Sequence, residues 1–313
     1  MFHFDSARKP RIGRLVGKTV TAAAAIGVLT FAMLSVAACG TPSGNGGGGG
    51  STTTSPGDSF THPTGSDQVV MQVISGGGFV PIEYNLTALP EFSLYGDGRV
   101  IVPGPVIAIY PGPALPNLQT ALVSEEALQV VLSAAREAGL FQNGVDYGQP
   151  PVADAPTTTF LVNVAGTTYR SEVYALGFED VAGGLSLEQQ QARAALQSFR
   201  GKLTDLTSFV TNPISWAPYE YTALAVYSLA VDPNTTTDST DVMPNRLDWP
   251  LADLSTLGVE VQGGFRRVVI SGDDLRTLQQ EPPLEKATAI TLWKSGNREY
   301  HLWFRPLLPD EKS

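Results

Sequence analysis

Residues Thr157–Leu176 read TTTFLVNVAGTTYRSEVYAL. β-branched and aromatic residues fill both halves and Ala165-Gly166 lies between them, so the stretch predicts two antiparallel strands joined by a short turn. The pattern then changes period. Ser186 and Gln189 occupy the positions of a capping box, and Ala192, Leu196, Phe199, Leu203 and Leu206 recur at helical spacing before Asn212-Pro213. A hairpin followed by a helix with one apolar stripe predicts an α+β fold, mainly antiparallel sheet with helices packed on one face.

The flanking sequence repeats these elements. Upstream, Val69–Ile74 is β-rich, and Glu91–Val102 contains Asp97-Gly98, the pair expected of a two-residue type I′ turn. Ser124 is placed to cap a helix whose apolar face is Leu128, Val131, Leu132 and Ala135, with Gly139 as its stop. Downstream, Tyr219–Val231 and Arg266–Ile270 read as strands, Ser271 caps a helix through Gln280, and Thr288–Arg305 reads as a hairpin. A turn at Gly296-Asn297 would set Lys294 opposite Glu299 and Trp293 opposite Tyr300, pairing opposite charges and aromatic rings. Both halves thus read as strands, helix, hairpin. The expectation is two related α+β units, residues 67–212 and 213–313, with one continuous domain over 67–313 as the alternative; element order matches between the halves but residues do not.

Arg8, Lys9, Arg11, Arg14 and Lys18 precede Thr19–Ala38, an uncharged, apolar segment. A basic end before an apolar run has the layout of a secretory signal over residues 1–38, and a membrane helix left uncleaved is the competing reading, because the segment is long enough to span about 30 Å of hydrocarbon. The sole cysteine, Cys39, follows directly, which excludes internal disulfides and any multi-cysteine metal cluster. Val36-Ala37-Ala38-Cys39 resembles the lipobox of bacterial lipoproteins. The resemblance implies cleavage between Ala38 and Cys39, a diacylglyceryl group on the Cys39 thiol, and a mature chain held on the outer face of the cell membrane; two acyl chains anchor stably. Phe92–Ile101 (FSLYGDGRVI) and Arg305–Glu311 (RPLLPDE) are similar to uncharacterised lipoproteins of high-GC Gram-positive bacteria, and that similarity implies no activity. Beyond Cys39, residues up to Ser66 are almost wholly Gly, Ser, Thr, Pro and Asn. They are expected to form a flexible tether over 39–66, with a root-mean-square reach of about 30 Å.

Five of the 20 basic and one of the 30 acidic side chains precede Cys39, leaving 15 against 29, a net charge of −14. Such a surface repels phosphate backbones, so nucleic acid is not an expected partner. Beyond the signal only His62 and His301 remain, His62 lies in the tether, and no GxSxG elbow occurs, which argues against a serine hydrolase. Glu125/Glu126 and Asp273/Asp274 offer paired carboxylates for acid/base chemistry, but each pair sits in the first turn of an expected helix, where it offsets the helix dipole. Asp232, Asn234, Asp238 and Asp241 could supply oxygen ligands to Ca²⁺, although the loop departs from an EF-hand, with no Gly at its sixth position and Met243 where a bidentate Glu belongs. Trp216, Trp249 and Trp303 could stack on sugars if exposed together. No cofactor motif is present. The balance points to a tethered, non-enzymatic module binding an exported protein or a wall component, with a carboxylate-based surface hydrolase or a cell-wall glycan binder as alternatives, and a transporter-linked solute receptor as a third that fits the anchor but not the fold.

The anchor has a direct test. Cys39→Ala should abolish incorporation of a labelled fatty acid into the protein; continued labelling would show the assignment to be wrong.

Overall fold

The computed structural model describes residues 59–178, 183–210, 213–234, 242–280 and 283–311, so the signal, Ala38, Cys39 and nearly all of the tether lie outside the described residues. Those described belong to one compact unit containing two mostly antiparallel sheets.

The first sheet comprises β1 (Val69–Gly76), β2 (Phe92–Tyr95), β3 (Arg99–Pro103), β4 (Leu118–Leu122), β5 (Thr157–Val164), β6 (Thr167–Tyr174) and β7 (Ala217–Pro218). They lie in the order β6-β5-β1-β2-β3-β4-β7. The short α1 (Ile82–Leu86) follows β1, α2 (Glu125–Glu137) follows β4, and α3 (Leu187–Thr204) follows β6. The β5–β6 hairpin forms as expected, with Val164 opposite Thr167 and both turn residues, Ala165 and Gly166, at positive φ (49° and 72°). Period-2 alternation turns Phe160, Val162 and Val164 inward against Leu128, Val131 and Leu132 of α2 and Leu196, Phe199 and Leu203 of α3. The Ser186–Gln189 capping box is present in full. From α3 the wholly buried Arg193 donates to the carbonyls of Tyr147, Tyr174 and Ala175, at 3.4, 2.9 and 2.6 Å, locking the helix to the end of β6. The exposed edge of β6 is capped by Asn143, whose side chain accepts from the Arg170 N–H (2.9 Å) and donates to the Thr168 carbonyl (3.3 Å), so the edge offers fewer open pairing groups.

Three local expectations change. At the β2–β3 turn only Gly98 takes positive φ (82°), and its N–H reaches the Tyr95 carbonyl (3.0 Å); the loop is Gly96-Asp97-Gly98, three residues long, rather than a two-residue type I′ turn. α3 stops at Thr204, earlier than Asn212-Pro213, because Asp205 leaves helical φ/ψ and its carboxylate caps the following turn at Thr207. The chain expected as tether is already docked from Phe60: its N–H and C=O pair with the Gln129 amide (2.7 and 2.9 Å), its ring meets Phe141 edge-on at 5.2 Å, and Arg136 lies over it. His62 follows with a 3.0 Å contact to Glu125, whose carboxyl is held below its usual range by the Gln129 and His62 hydrogen bonds.

The second sheet comprises β8 (Ala223–Ala230), β9 (Arg246–Asp248), β10 (Val259–Glu260), β11 (Arg266–Ser271), β12 (Leu292–Ser295) and β13 (Arg298–Pro306) in the order β10-β11-β8-β13-β12-β9, with α4 (Gly272–Gln280) and α5 (Pro283–Lys286). The expected register holds, with Lys294 opposite Glu299 and Trp293 opposite Tyr300. Trp293 is fully buried between Trp249 and Phe304. α4 and α5 pack on the face carrying Val226, Leu302 and Phe304, whereas α1 covers the opposite face through Ile82 and Leu86.

The two halves share element order but not pairing. β1 lies beside the first strand of its hairpin, β5, whereas β8 lies beside the second strand of its own, β13. The change of sheet falls between Pro218 and Ala223 rather than at 213, since β7 still pairs with β4. A C-terminal clasp joins the sheets: Leu308 packs with Tyr95, Ile101 and Leu118, the Tyr95 hydroxyl donates to Asp310 (2.5 Å), and Tyr219 donates to the Leu307 carbonyl (3.0 Å). Burial raises the titration of both tyrosines, Tyr219 to about 12.

A left-handed alanine stores strain that asparagine tolerates better. Ala165→Asn should raise stability by about 0.5–1 kcal/mol, read from the urea midpoint at unchanged slope. A lowered midpoint would contradict the turn geometry.

Candidate functional site

The residues proposed from sequence do not assemble into one centre. Trp249 is 6% exposed and packed edge-to-face on Trp293, with its indole N–H on the Ala252 carbonyl, so no face is open to a sugar. Trp303 is half-buried on the opposite face of the second sheet, against Phe265, and the half-exposed Trp216 lies just before β7 of the first sheet. Asp232 accepts from the Asn234 backbone and amide N–H (2.9 and 3.1 Å), a local turn, whereas Asp238 and Asp241 lie outside the described residues. Among the described residues no three His, Cys, Asp or Glu side chains converge to hold a metal ion.

The paired carboxylates are occupied locally. Glu125 and Glu126 stand in the first turn of α2 behind the Ser124 cap, and Asp273 pairs with Arg276 in the first turn of α4. None of the described clefts is lined by two carboxylates. His301 points to the Trp303 side, 5.9 Å between ring centres, and burial pushes its titration below the ordinary value against the opposing pull of Glu299 and Glu83.

The outstanding surface feature is the β3–β4 connection, Gly104–Asn117. Prolines at 103, 105, 111, 113 and 116 restrict its backbone and remove N–H donors. Its two ends are pinned. The Gly104 N–H donates to the Asn117 carbonyl (2.8 Å) and the Asn117 amide to the Pro105 carbonyl (2.9 Å). On the other side Pro113 bridges Thr288, with Ala114 N–H on the Ala287 carbonyl (3.1 Å) and Ala289 N–H on the Gly112 carbonyl (2.9 Å). Between the pins a tight turn closes from Ile109 N–H to the Ile107 carbonyl (2.9 Å). Here Val106, Ile107, Ile109 and Tyr110 are 76, 66, 57 and 69% exposed. No charged side chain occurs from Val100 to Ser124.

Beneath the loop's second pin lies an apolar cleft of about 240 Å³, walled by Leu89, Pro113, Pro116, Ala289, Trp303 and Phe304. Thr87 also lines it, but its hydroxyl already donates to the Glu83 carbonyl (2.7 Å). The cleft therefore offers apolar walls and no acid or base. Strand registers set the loop's direction: Val73 lies opposite Phe92 and Ser93 opposite Ile101, so β1 ends, β2 begins and β3 ends at one end of the sheet. The exposed Phe79 and Tyr84 leave from this end too. The chain enters at the other, where the Ala165 N–H meets the Thr61 carbonyl (2.7 Å) and the Gly96 N–H meets that of Gln68 (3.0 Å).

An exposed apolar cluster braced at both ends loses little conformational freedom on docking, and each apolar side chain it buries adds roughly 1–2 kcal/mol. The arrangement suits docking onto an apolar surface. Sequence reasoning passed over it because the run has neither helical nor strand period; the usable signal was an uncharged stretch punctuated by prolines. No family model, no curated protein and no solved structure matches the chain.

His301 gives the site's surroundings a pH dependence. Its folded-state titration lies below the ordinary 6.5, so as pH falls through 6.5 the unfolded chain takes up a proton first and stability declines until the folded form protonates as well. His301→Gln should flatten that decline in a series of urea melts; an unaltered slope would contradict the burial argument.

Proposed function

We propose that the protein is a lipid-anchored, non-enzymatic module of the cell envelope, held through Cys39 on the outer face of the membrane, and that it docks through the braced loop Gly104–Asn117. The supporting observation is the exposure of Val106, Ile107, Ile109 and Tyr110 on a loop held at both ends by backbone hydrogen bonds. Exposed apolar surface of this kind marks an interaction site. The carboxylate hydrolase is less well supported, because the described clefts lack a facing carboxylate pair. Glycan stacking is less well supported too, since Trp249 is in the core and Trp216 and Trp303 sit on different sheets.

The test places a photoreactive residue at 107 in the anchored protein in cells, with the same residue at exposed position 202 of α3 as control. An adduct at 107, absent at 202 and diminished by Cys39→Ala, is the expected outcome. Equal yields at the two positions would overturn docking by the loop, and an adduct at 107 unaffected by Cys39→Ala would overturn the dependence on the anchor.

A further inference from the structure

The geometry points to the surface of a lipid bilayer as the occupant of the Val106–Tyr110 prong, giving the protein a second membrane attachment besides its acyl chains. This inference rests on the reading of the loop as the docking surface and narrows it to one partner.

Four features favour lipid. The side chains of Val106, Ile107, Ile109 and Tyr110 are 57–76% exposed, so they can enter a deformable apolar medium without a matching pocket. No charged side chain lies between Val100 and Ser124, so the loop itself carries no charge into an apolar medium. Aliphatic side chains beside a tyrosine are the composition that settles at the boundary between headgroups and acyl chains. The backbone also favours insertion by side chains alone: Pro105 and Pro111 have no N–H, and those of Gly104 and Ile109 are already bonded, which reduces the donors that must keep contact with water. Insertion is therefore by side chains.

Length supports the same occupant. From Cys39 the tether runs to Phe60, which is fixed on α2. Composition leads to an expected reach of about 25 Å for roughly 20 Gly/Ser-rich residues, close to the roughly 26 Å of an eight-residue strand such as β1. With the chain entering at one end of the first sheet and the prong leaving at the other, simultaneous attachment lays the sheet along the membrane. A tethered prong works at high effective concentration, so weak intrinsic affinity suffices. Neutral lipid is the preferred surface, because the remainder of the mature chain carries a net charge of −14.

The test uses the chain from Cys39 onward, coupled through its single thiol to a maleimide-bearing lipid in phosphatidylcholine vesicles. Chemical coupling supplies the anchor whether or not cells lipidate Cys39, so the result is independent of that claim. Ile107→Trp adds a reporter to the four native tryptophans. Nitroxide groups just below the headgroups should quench the added emission roughly twofold more than the wild-type signal. Adding Val106→Asp and Ile109→Asp, with circular dichroism unchanged, should remove that excess. Two outcomes overturn the inference: a reporter indole as open to aqueous acrylamide on the vesicle as in solution, or one shielded from acrylamide without nitroxide quenching, which would mean that a protein surface or a second copy covers it.

Discussion

A short backbone exchange between the β3–β4 connection and the segment leading into β12 governs the placement of the loop. The Gly112 carbonyl accepts from Ala289 and the Ala114 N–H donates to the Ala287 carbonyl, with Pro113 opposite Thr288 between them. The connection from β3 to β4 must therefore cross to the second sheet before returning. That detour lines the apolar cleft beside Trp303 with Pro113 and Pro116 and leaves Val106, Ile107, Ile109 and Tyr110 exposed. Without it, a run of prolines and aliphatics would collapse onto the nearest apolar surface, since exposing such side chains opposes the hydrophobic effect. The clasp at the C-terminus reinforces the junction from the outer face of the first sheet, where Leu308 and the Tyr95–Asp310 hydrogen bond hold the last residues down.

In the proposed arrangement the remaining features divide between anchor and body. The acidic surface keeps the folded part from adhering through charge, leaving acyl chains and the apolar prong as attachments. Phe60, clamped by Gln129 and Phe141, transfers any pull along the tether into α2 and from there into the core against β5. Of the paired carboxylates, Glu126 stands at a helix start with its acidity raised by hydrogen bonds around its own cap, as is that of Asp205 at the turn after α3.

Much of the fold was legible because it is local. The β5–β6 hairpin, the Ser186 cap and the Trp293–Tyr300 register all follow from patterns within twenty residues. What escaped depends on distant partners. Whether the central strand takes the first or the second strand of a hairpin as its neighbour leaves no trace in element order, so the apparent repeat dissolved at β5 and β13. Trp249 looked available for stacking because nothing nearby in sequence reveals Trp293 beside it. Phe60 read as tether because a single aromatic in a Gly/Ser stretch carries no period, and its partners lie on α2 and at Phe141. The loop proposed to dock stayed hidden for the same reason, its pins being at 117 and 287–289.

The most direct measurement is amide hydrogen exchange on the protein free in solution, resolved to single residues between 104 and 117 and at 287–289. A braced prong requires Ala114 and Ala289 to be protected to the level of neighbouring strands while Val106, Ile107 and Tyr110 exchange freely. If Ala114 and Ala289 exchange as fast as the tip, the loop is not held outward, and the docking role built on it fails.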